Sequence, residues 1–176
     1  IANRGEIAAR VAKACRELGH AAIGVWTDFE VHARHLQHCD EWVHLPGFTN
    51  AETYLNIDNL MRIVKEHKID AVHPGYGFLS ENTHFAARLH EEGVVFIGPH
   101  SEAIRQMGDK AVSKQIAKKA GVPVVPGTSD PVPNVEEALS VAEDIGYPVL
   151  LKAVAGGGGR GMRVCNSAEE VKKQFD

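Results

Sequence analysis

Amphipathic helical stretches alternate with short apolar runs along the first hundred residues of the chain. The helical stretches place apolar residues at helical spacing, whereas the short runs are rich in valine, isoleucine and alanine. This pattern predicts helices over 6–18, 31–38, 57–67 and 84–92, and strands over 21–26, 41–45, 69–73 and 94–97. Strands that alternate with helices through short connections form parallel sheets. The chain is therefore predicted to have an α/β fold with a doubly wound, mostly parallel sheet.

A different pattern follows residue 100. Residues 101–120 are predicted to be helical, with a break at Gly108-Asp109, and 121–127 is typical of a connector because it contains two prolines and two glycines. Two apolar runs joined by a glycine-rich loop come later, between helices capped by Asn134 and Ser167. We therefore predict a first domain over 1–100, a helical linker over 101–128 and the beginning of a second domain over 129–176.

The glycine-rich loop carries cations at its edges. Glycine can adopt positive φ, so successive backbone N–H groups can point into one concavity that suits a polyphosphate. A lysine that closes an apolar strand beside such a loop adds a mobile positive charge. The candidate nucleotide-binding residues are Lys152, Gly156, Gly157, Gly158, Gly159, Arg160, Gly161 and Met162.

Two familiar phosphate-binding templates do not fit this loop. The spacing of Gly156, Gly158 and Gly161 matches the dinucleotide fingerprint, but that motif requires a helix directly after the loop, and the strand-like run 162–165 follows instead. A P-loop requires Lys-Ser or Lys-Thr after its last glycine, where this chain has Met162-Arg163. A flexible linker is disfavoured because apolar runs and cations flank the loop. The pattern favours a hairpin that closes over phosphates as a flap.

Composition and charge exclude several classes of partner. Hydrophobic residues make up 44% and charged residues 24% of the chain, which is typical of globular proteins. The net charge of -4 gives no electrostatic argument for nucleic acid or for an anionic membrane. No apolar run approaches the length of a membrane span. We expect no nucleic-acid partner and no membrane partner.

Cysteine and histidine positions indicate neither a disulfide framework nor a metal site. The three cysteines are far apart, which fits a reducing compartment; we expect the cytoplasm, with the mitochondrial matrix as the alternative. His32, His35 and His38 recur at three-residue spacing, but that spacing spreads the rings over a broad arc and fixes no fourth ligand. A solvated polar helix face is the preferred interpretation. Spacing alone gives the same interpretation for Lys110, Lys114 and Lys118.

Both ends of the sequence look cut. Residue 1 is not methionine, residues 1–6 resemble the end of a strand that enters a helix, and residue 176 falls inside a helical pattern. We expect the chain to be a piece of a longer polypeptide.

Five strings in this order resemble the N-terminal part of the biotin carboxylase component of biotin-dependent carboxylases, members of the ATP-grasp superfamily. The strings cover residues 3–7, 73–82, 96–99, 107–110 and 152–163, and the resemblance spans essentially the whole chain. The ten residues 73–82 are the most specific of them. The resemblance implies a Rossmann-like pre-ATP-grasp domain, a helical linker and the start of an ATP-grasp domain that bears the glycine-rich flap.

The same resemblance implies an activity in two steps. ATP phosphorylates bicarbonate to carboxyphosphate, which then carboxylates N1′ of biotin on a carrier domain. The cofactors implied are ATP, Mg²⁺ (or Mn²⁺) and biotin, with bicarbonate as a substrate. The partners implied are a biotin carboxyl carrier domain and a carboxyltransferase domain or subunit. A homodimer is also implied, with Arg10, Lys13 and Glu17 in the dimerisation region, although a charged exposed helix face is the preferred interpretation of these three residues.

Site residues follow from the resemblance position by position. Lys110 and Lys152 match lysines that contact ATP, and the backbone amides near Gly158 and Gly159 match the flap. Tyr76 is a possible contact of the biotin ring and Glu81 a supporting polar group. The residues implied to border biotin and carboxyphosphate are His73, Tyr76, Gly77 and Glu81. The alternative is that His73, Tyr76 and Glu81 only satisfy one another in a rigid loop.

Other functions remain open at this point. No catalytic residue is assigned within the chain, and the Mg²⁺-binding carboxylates are expected beyond residue 176, so these 176 residues alone are predicted to be inactive. An ATP-grasp ligase of the carbamoyl-phosphate-forming type and a non-catalytic ATP-binding module are the alternatives. A nicotinamide-dependent oxidoreductase is disfavoured by the strand-like run after the glycine loop. The final acceptor of the carboxyl group is not indicated.

Overall fold

A computed structural model describes residues 1–128, 130–153 and 161–175, except the side chains of Lys110 and Ala111. The chain divides into two compact units, Ile1–Gly108 and Asp109–Asp176. The predicted linker over 101–128 stays a prediction.

The first unit alternates helices and strands in the predicted order. Its helices are α1 (Gly5–Glu17), a 3₁₀ helix (Arg34–His38), α2 (Ile57–Glu66), α3 (Thr83–Glu91) and α4 (Ser101–Gly108). Its strands are β1 (Ile23–Trp26), β2 (Glu41–His44), β3 (Ala71–Val72) and β4 (Val95–Phe96).

The strands of this unit are parallel. β1 pairs with β2, with Ile23 opposite Glu41, and β3 pairs with β4, with Ala71 opposite Val95. The extended residues at the start of the chain join the two pairs: the Ile1 amino group donates to the Ile23 carbonyl at 2.7 Å, and the Ala2 amide donates to the His73 carbonyl at 2.9 Å. The predicted α/β fold with a parallel arrangement is confirmed.

Helix endings explain why β3 and β4 are shorter than predicted. The residue after the C-cap of α1, α2 and α3 has positive φ (Gly19, Lys68 and Gly93), and the next amide donates back to the helix. The Ile69 amide thus bonds to the Val64 carbonyl at 3.0 Å, and the Val94 amide to the Leu89 carbonyl at 2.9 Å. Because these amides are bonded to the helices, they are not available for pairing between strands. The pairing of β3 and β4 therefore begins after the start of each apolar run.

His35 corrects one expectation from the sequence. The side chain is only 1% exposed. Its Nε2 lies 3.1 Å from the Val25 carbonyl, and its Nδ1 accepts from the Gly5 amide at 3.4 Å. The ring therefore joins the end of β1 to the start of α1, and the predicted solvated helix face is wrong for this residue, although His32 is exposed. Within the described ranges no group of three His, Cys, Asp or Glu residues could hold a metal ion.

The second unit contains the predicted hairpin. It comprises α5 (Lys110–Lys119), α6 (Val135–Ile145), β5 (Val149–Lys152), β6 (Met162–Cys165) and α7 (Ala168–Gln174). β5 and β6 are antiparallel, with Lys152 opposite Met162. One side of the hairpin packs on α6 and α7 around a small core of Ala138, Ala142, Cys165 and Val171. In the parts of the chain described, no helix is long and apolar enough to cross a membrane.

Both predicted caps of this unit are present. The Asn134 side chain accepts from the Glu137 amide at 2.9 Å, and the Ser167 hydroxyl accepts from the Glu170 amide at 3.4 Å. The Glu170 carboxylate accepts from the Asn166 amide, so the reciprocal bond of the capping box begins one residue earlier than the sequence predicts.

The helix endings give a test in which the same substitution has different effects on stability at two glycines. Gly93 has φ +72°, whereas Gly108 lies in α4, and a Cβ would meet open space at either position. We expect Gly93→Ala to lower the free energy of unfolding by about 1–2 kcal/mol, because alanine resists the left-handed conformation. Gly108→Ala should leave it unchanged or raise it by up to about 1 kcal/mol, through helix propensity.

Urea unfolding followed by tryptophan fluorescence measures both changes, since both tryptophans, Trp26 and Trp42, lie in the first unit. Equal loss of stability in the two variants would contradict the proposed helix ending.

Candidate functional site

Loop 73–82 follows the carboxyl end of β3, which is where ligands bind in open α/β sheets. Asn3 fixes its first half. The buried Asn3 side chain donates from Nδ2 to the Pro74 carbonyl at 2.8 Å and to the Tyr76 carbonyl at 2.7 Å. A Cβ on Gly75 would lie 2.6 Å from Asn3 Nδ2, and Gly75 has φ +67°. Only glycine lets the loop approach Asn3 this closely.

The predicted site residues of this loop do not satisfy one another. His73 Nδ1 accepts from the Gly75 amide at 2.9 Å. The Tyr76 hydroxyl donates to the Glu6 carboxylate at 2.5 Å, although 60% of the Tyr76 side chain is exposed. Glu81 is exposed and has no hydrogen-bond or ion-pair partner within the described ranges. The mutual arrangement considered from the sequence is therefore wrong, and Tyr76 and Glu81 present polar groups to solvent.

The environment changes the proton affinity of two of these groups. The hydrogen bond to Glu6 is the main reason that the pKa of Tyr76 lies above its usual value. Burial lowers the pKa of His73, with smaller contributions from the amino terminus and Arg10, so the ring is neutral at neutral pH. The loop thus offers a neutral imidazole, a phenol and the open space around Gly77, where a Cβ would meet no atom within 4 Å.

A cluster that the sequence analysis missed supports the second half of the loop. We call Arg4, Glu30, Tyr54 and Phe78 the aromatic clamp. The Phe78 ring stacks on the buried Tyr54 ring at a centroid distance of 4.8 Å and an interplanar angle of 6°. The Arg4 guanidinium lies 5.5 Å from both ring centroids and donates to Glu30 at 2.9 Å. The Tyr54 hydroxyl donates to the other Glu30 oxygen at 2.6 Å.

Glu30 is the charged centre of the aromatic clamp. Burial alone would raise the pKa of this carboxyl, but hydrogen bonds from Tyr54, Arg4 and Thr27 outweigh burial and hold the pKa below its usual value. Burial, followed by the bond to Glu30, raises the pKa of Tyr54 far above its usual range. At neutral pH the cluster therefore consists of a carboxylate, a guanidinium and a neutral phenol.

The hairpin of the second unit presents a second candidate surface. Leu150 and Lys152 share one face of β5, and their partners Val164 and Met162 lie opposite them on β6. Leu150, Val164 and Met162 are 43%, 57% and 41% exposed, which is unusual for an apolar row. Lys152 is exposed, and its ammonium group has no hydrogen-bond or ion-pair partner in the described part of the chain. A cation beside an exposed apolar row suits a ligand that has both phosphate and a planar base.

Other predicted nucleotide contacts are only partly described. Gly161 has φ +73°. Its carbonyl accepts from the Ala153 amide at 2.9 Å, next to the pair formed by Lys152 and Met162. Gly156, Gly157, Gly158, Gly159 and Arg160 lie outside the described residues, as does the side chain of Lys110.

Two of the remaining predicted polar surfaces can be compared with the structure. Lys114 Nζ donates to the Gly127 carbonyl at 2.8 Å, so this lysine connects α5 to the predicted connector. The spacing had predicted a solvated side chain for it. Lys118 is exposed. Arg10, Lys13 and Glu17 are exposed along α1, which agrees with a charged helix face.

Sequence patterns could have indicated part of what was missed. Leu150 lies two residues before Lys152, and period-two spacing places both on one face of a strand. Arg4 and Phe78 lie inside recognised strings, but Glu30 and Tyr54 carry no local signal of their role because their partners are distant in sequence.

Comparison with known proteins identifies relatives for both units. The family model "Biotin carboxylase, N-terminal domain" matches residues 1–104, and "Carbamoyl-phosphate synthase L chain, ATP binding domain" matches residues 109–176. The 2-oxoglutarate carboxylase small subunit of Hydrogenobacter thermophilus is 49% identical over 100% of this chain and 37% of its own length. Biotin carboxylase 1 of Bacillus subtilis is 48% identical over 97% of this chain and 38% of its own length.

Solved structures agree with these relatives. The biotin carboxylase–β,γ-ATP complex from Campylobacter jejuni superposes with a TM-score of 0.88 at 42% identity, over 99% of this chain and 39% of that one. The biotin carboxylase domain dimer of H. thermophilus 2-oxoglutarate carboxylase, solved with MgADP, ADP and bicarbonate, gives a TM-score of 0.85 at 50% identity, over 99% of this chain and 38% of that one. This chain therefore spans less than two fifths of the length of these relatives.

The role of Asn3 in shaping the loop can be tested with a matched pair of asparagines. We expect Asn3→Ala to lower the free energy of unfolding by about 1–3 kcal/mol, because it leaves the Pro74 and Tyr76 carbonyls without their donor. Asn59→Ala removes a bond of 3.2 Å to an exposed carbonyl and should change the free energy by less than about 0.5 kcal/mol. Urea unfolding gives both values, and a similar cost for the two variants would show that Asn3 does not hold the loop.

Proposed function

This chain belongs to the biotin carboxylase family, and we propose on that basis that the intact protein performs the biotin carboxylase step of a biotin-dependent carboxylase. In that reaction ATP and bicarbonate form carboxyphosphate, and the carboxyl group passes to N1′ of biotin on a carrier domain. The observation that carries the proposal is the exposed Lys152, which has no partner among the described residues and lies beside an exposed apolar row, in a chain that resembles biotin carboxylases along its whole length.

The hairpin of the second unit is the proposed ATP surface. The Lys152 ammonium would bind phosphate oxygens and offset the charge that phosphoryl transfer redistributes. Leu150, Met162 and Val164 would receive the apolar face of the base, since they are exposed on the same side of the hairpin. Lys110 and the glycines 156–159 with Arg160 complete the proposed set. A flap that covers the phosphates would exclude water from carboxyphosphate, which would otherwise hydrolyse.

Mg²⁺ would neutralise the phosphates of bound ATP. The described residues do not provide a group of three ligands for it. On the basis of the family resemblance we propose that its carboxylates lie beyond residue 176, and we derive no step through the metal from this chain.

Loop 73–82 is the proposed biotin surface. The Tyr76 ring is exposed and its hydroxyl is held by Glu6, so the ring can lie against the ureido ring of biotin without reorienting. Gly77 leaves space for that ring to approach the backbone. His73 and Glu81 border the same loop and would supply polar surroundings.

The proposed partners are a carrier domain and a carboxyltransferase domain or subunit. A homodimer is proposed because the H. thermophilus biotin carboxylase domain is a dimer, with the charged face of α1 around Arg10, Lys13 and Glu17 as its candidate contact. The proposed compartment is the cytoplasm, or else the mitochondrial matrix, and the unpaired state of Cys15, Cys39 and Cys165 supports a reducing environment.

ADP release by the intact protein, with bicarbonate and free biotin each added or withheld, tests this function. Release that requires bicarbonate and is stimulated by biotin is the expected result. Bicarbonate-dependent release that is raised by an ammonia source and does not respond to biotin would indicate an ATP-grasp ligase of the carbamoyl-phosphate-forming type. This alternative is retained because the family model that matches residues 109–176 is the ATP-binding domain of carbamoyl-phosphate synthase. ATP binding without turnover would indicate a non-catalytic module.

Replacing Lys152 tests the ATP surface. We expect Lys152→Gln in the intact protein to lower kcat/KM for ATP roughly tenfold to a hundredfold, because the positive charge on the phosphates is lost. The fold should survive, since Lys152 is exposed and makes no described contact. Lys118→Gln removes an exposed lysine of the same unit and is the matched control. Steady-state ADP release and circular dichroism give the two readouts, and equal kinetics for both variants would refute the role of Lys152.

A further inference from the structure

We propose that Arg4 is a positioning residue, which holds the Phe78 ring against Tyr54 and thereby fixes Gly77 and Tyr76 in the conformation that receives biotin. This inference rests on the proposed function, because it concerns the loop that we assign to biotin. It adds a role for Arg4, which neither the sequence analysis nor the proposed function uses.

The loop needs such support because its backbone is strained. Gly75 and Gly77 have φ of +67° and +63°, which glycine adopts freely. Phe78 has φ +38°, in a region that residues with a Cβ rarely occupy. A strained residue persists only where surrounding contacts determine its conformation. Phe78 is directly next to Gly77 and two residues from Tyr76, so any relaxation of its φ would turn the proposed biotin contacts.

The residues that hold Phe78 also contact one another. Its ring lies flat on Tyr54, which is fully buried and tied to Glu30 through its hydroxyl. Arg4 covers both rings from its position before α1, and the same Glu30 anchors its guanidinium. A stacked pair and a cation over aromatic rings together supply stabilisation comparable to the cost of the strained residue. Loss of Arg4 removes one of the two contributions, so Phe78 would relax for part of the time.

Two consecutive residues thus secure the loop on either side of Gly77. Asn3 binds the carbonyls of Pro74 and Tyr76, and Arg4 holds Phe78. Gly77 lies between these two anchors and has no side chain that could be held. The two anchors therefore hold different residues of the loop.

The charge of Arg4 argues against direct binding of a substrate anion. Its guanidinium forms an ion pair with Glu30, whose side chain is only 13% exposed. An arginine that served a phosphate or bicarbonate would need to leave this partner, and the mostly buried Glu30 side chain would lose its cation. The geometry therefore favours action through Phe78 over contact with the substrate.

Kinetics of the intact protein test the proposal. We expect Arg4→Met, which keeps an apolar side chain over the rings, to raise KM for free biotin about tenfold while KM for ATP changes by less than about twofold. Arg4→Lys should recover part of the loss, because an ammonium can also lie over an aromatic ring. Arg62→Met is the matched control, since Arg62 pairs with Glu66 on the exposed side of α2. Equal changes in KM for biotin and ATP would overturn the proposal, and a rise in KM for ATP or bicarbonate alone would indicate direct contact with that substrate.

A double variant separates positioning from general weakening. Phe78→Gly removes both the ring and the need to hold a strained side chain. If Arg4 acts through Phe78, adding Arg4→Met to Phe78→Gly should change KM for biotin by less than about twofold, so the two effects are not additive. Additive effects would show that Arg4 acts by another route.

Hydrogen exchange gives a readout that does not depend on turnover. The Ser80 amide donates to the Gly77 carbonyl at 2.9 Å, so its exchange reports the conformation of the loop. We expect Arg4→Met to speed exchange at Ser80 about tenfold in the intact protein, with no change at Val94, whose amide closes α3. Unchanged exchange at Ser80 would overturn the proposal even if the enzyme is active. If exchange at Ser80 is faster but biotin does not stimulate turnover, the role of Arg4 in the aromatic clamp is supported and the proposed function is rejected.

Discussion

The buried amide of Asn3 must find partners, and the shape of the first unit follows from where it finds them. Asn3 is 4% exposed and lies directly after the two residues that join β1 to β3. Its two donors are used by the Pro74 and Tyr76 carbonyls, and its oxygen accepts from the Arg4 amide at 2.8 Å. An unsatisfied buried amide costs about 1–3 kcal/mol, so the loop after β3 cannot move away without a penalty. The same contact places Arg4 where it can cover Tyr54 and Phe78.

The balance of energies in the aromatic clamp is close. A non-glycine residue in the left-handed region costs about 1–2 kcal/mol. An aromatic pair contributes about 0.5–1.5 kcal/mol and an exposed cation over a ring about 0.5–1 kcal/mol. Because the sums are similar, the loop is held in one conformation with little stabilisation to spare. The loss of a single contact is therefore enough to let the loop relax.

The sequence predicts features whose partners are close along the chain, but not those whose partners are far apart in sequence. Asn134 and Ser167 were recognised as caps because a cap and its amide lie three residues apart, and the hairpin was recognised because its strands flank one loop. The sequence predicts a solvated His35 because the groups that contact its ring, the Gly5 amide and the Val25 carbonyl, lie on other elements. The clamp was missed for the same reason: Arg4 and Phe78 are recognisable in their own strings, but nothing in those strings indicates Tyr54 as the common partner.

The contacts between Asn3 and the loop after β3 also constrain the order in which this protein can fold. Asn3 and Pro74 are 71 residues apart in sequence, and all of α1, α2 and the first three strands lie between or beside them. Helices form from neighbouring residues, whereas a contact of this separation must wait until the chain between its ends has been brought together. The loop therefore cannot take its final shape before residues 3 and 74 have been brought together. During synthesis, the candidate biotin surface can therefore appear only after loop 73–82 has emerged from the ribosome, well after its first anchor, Asn3.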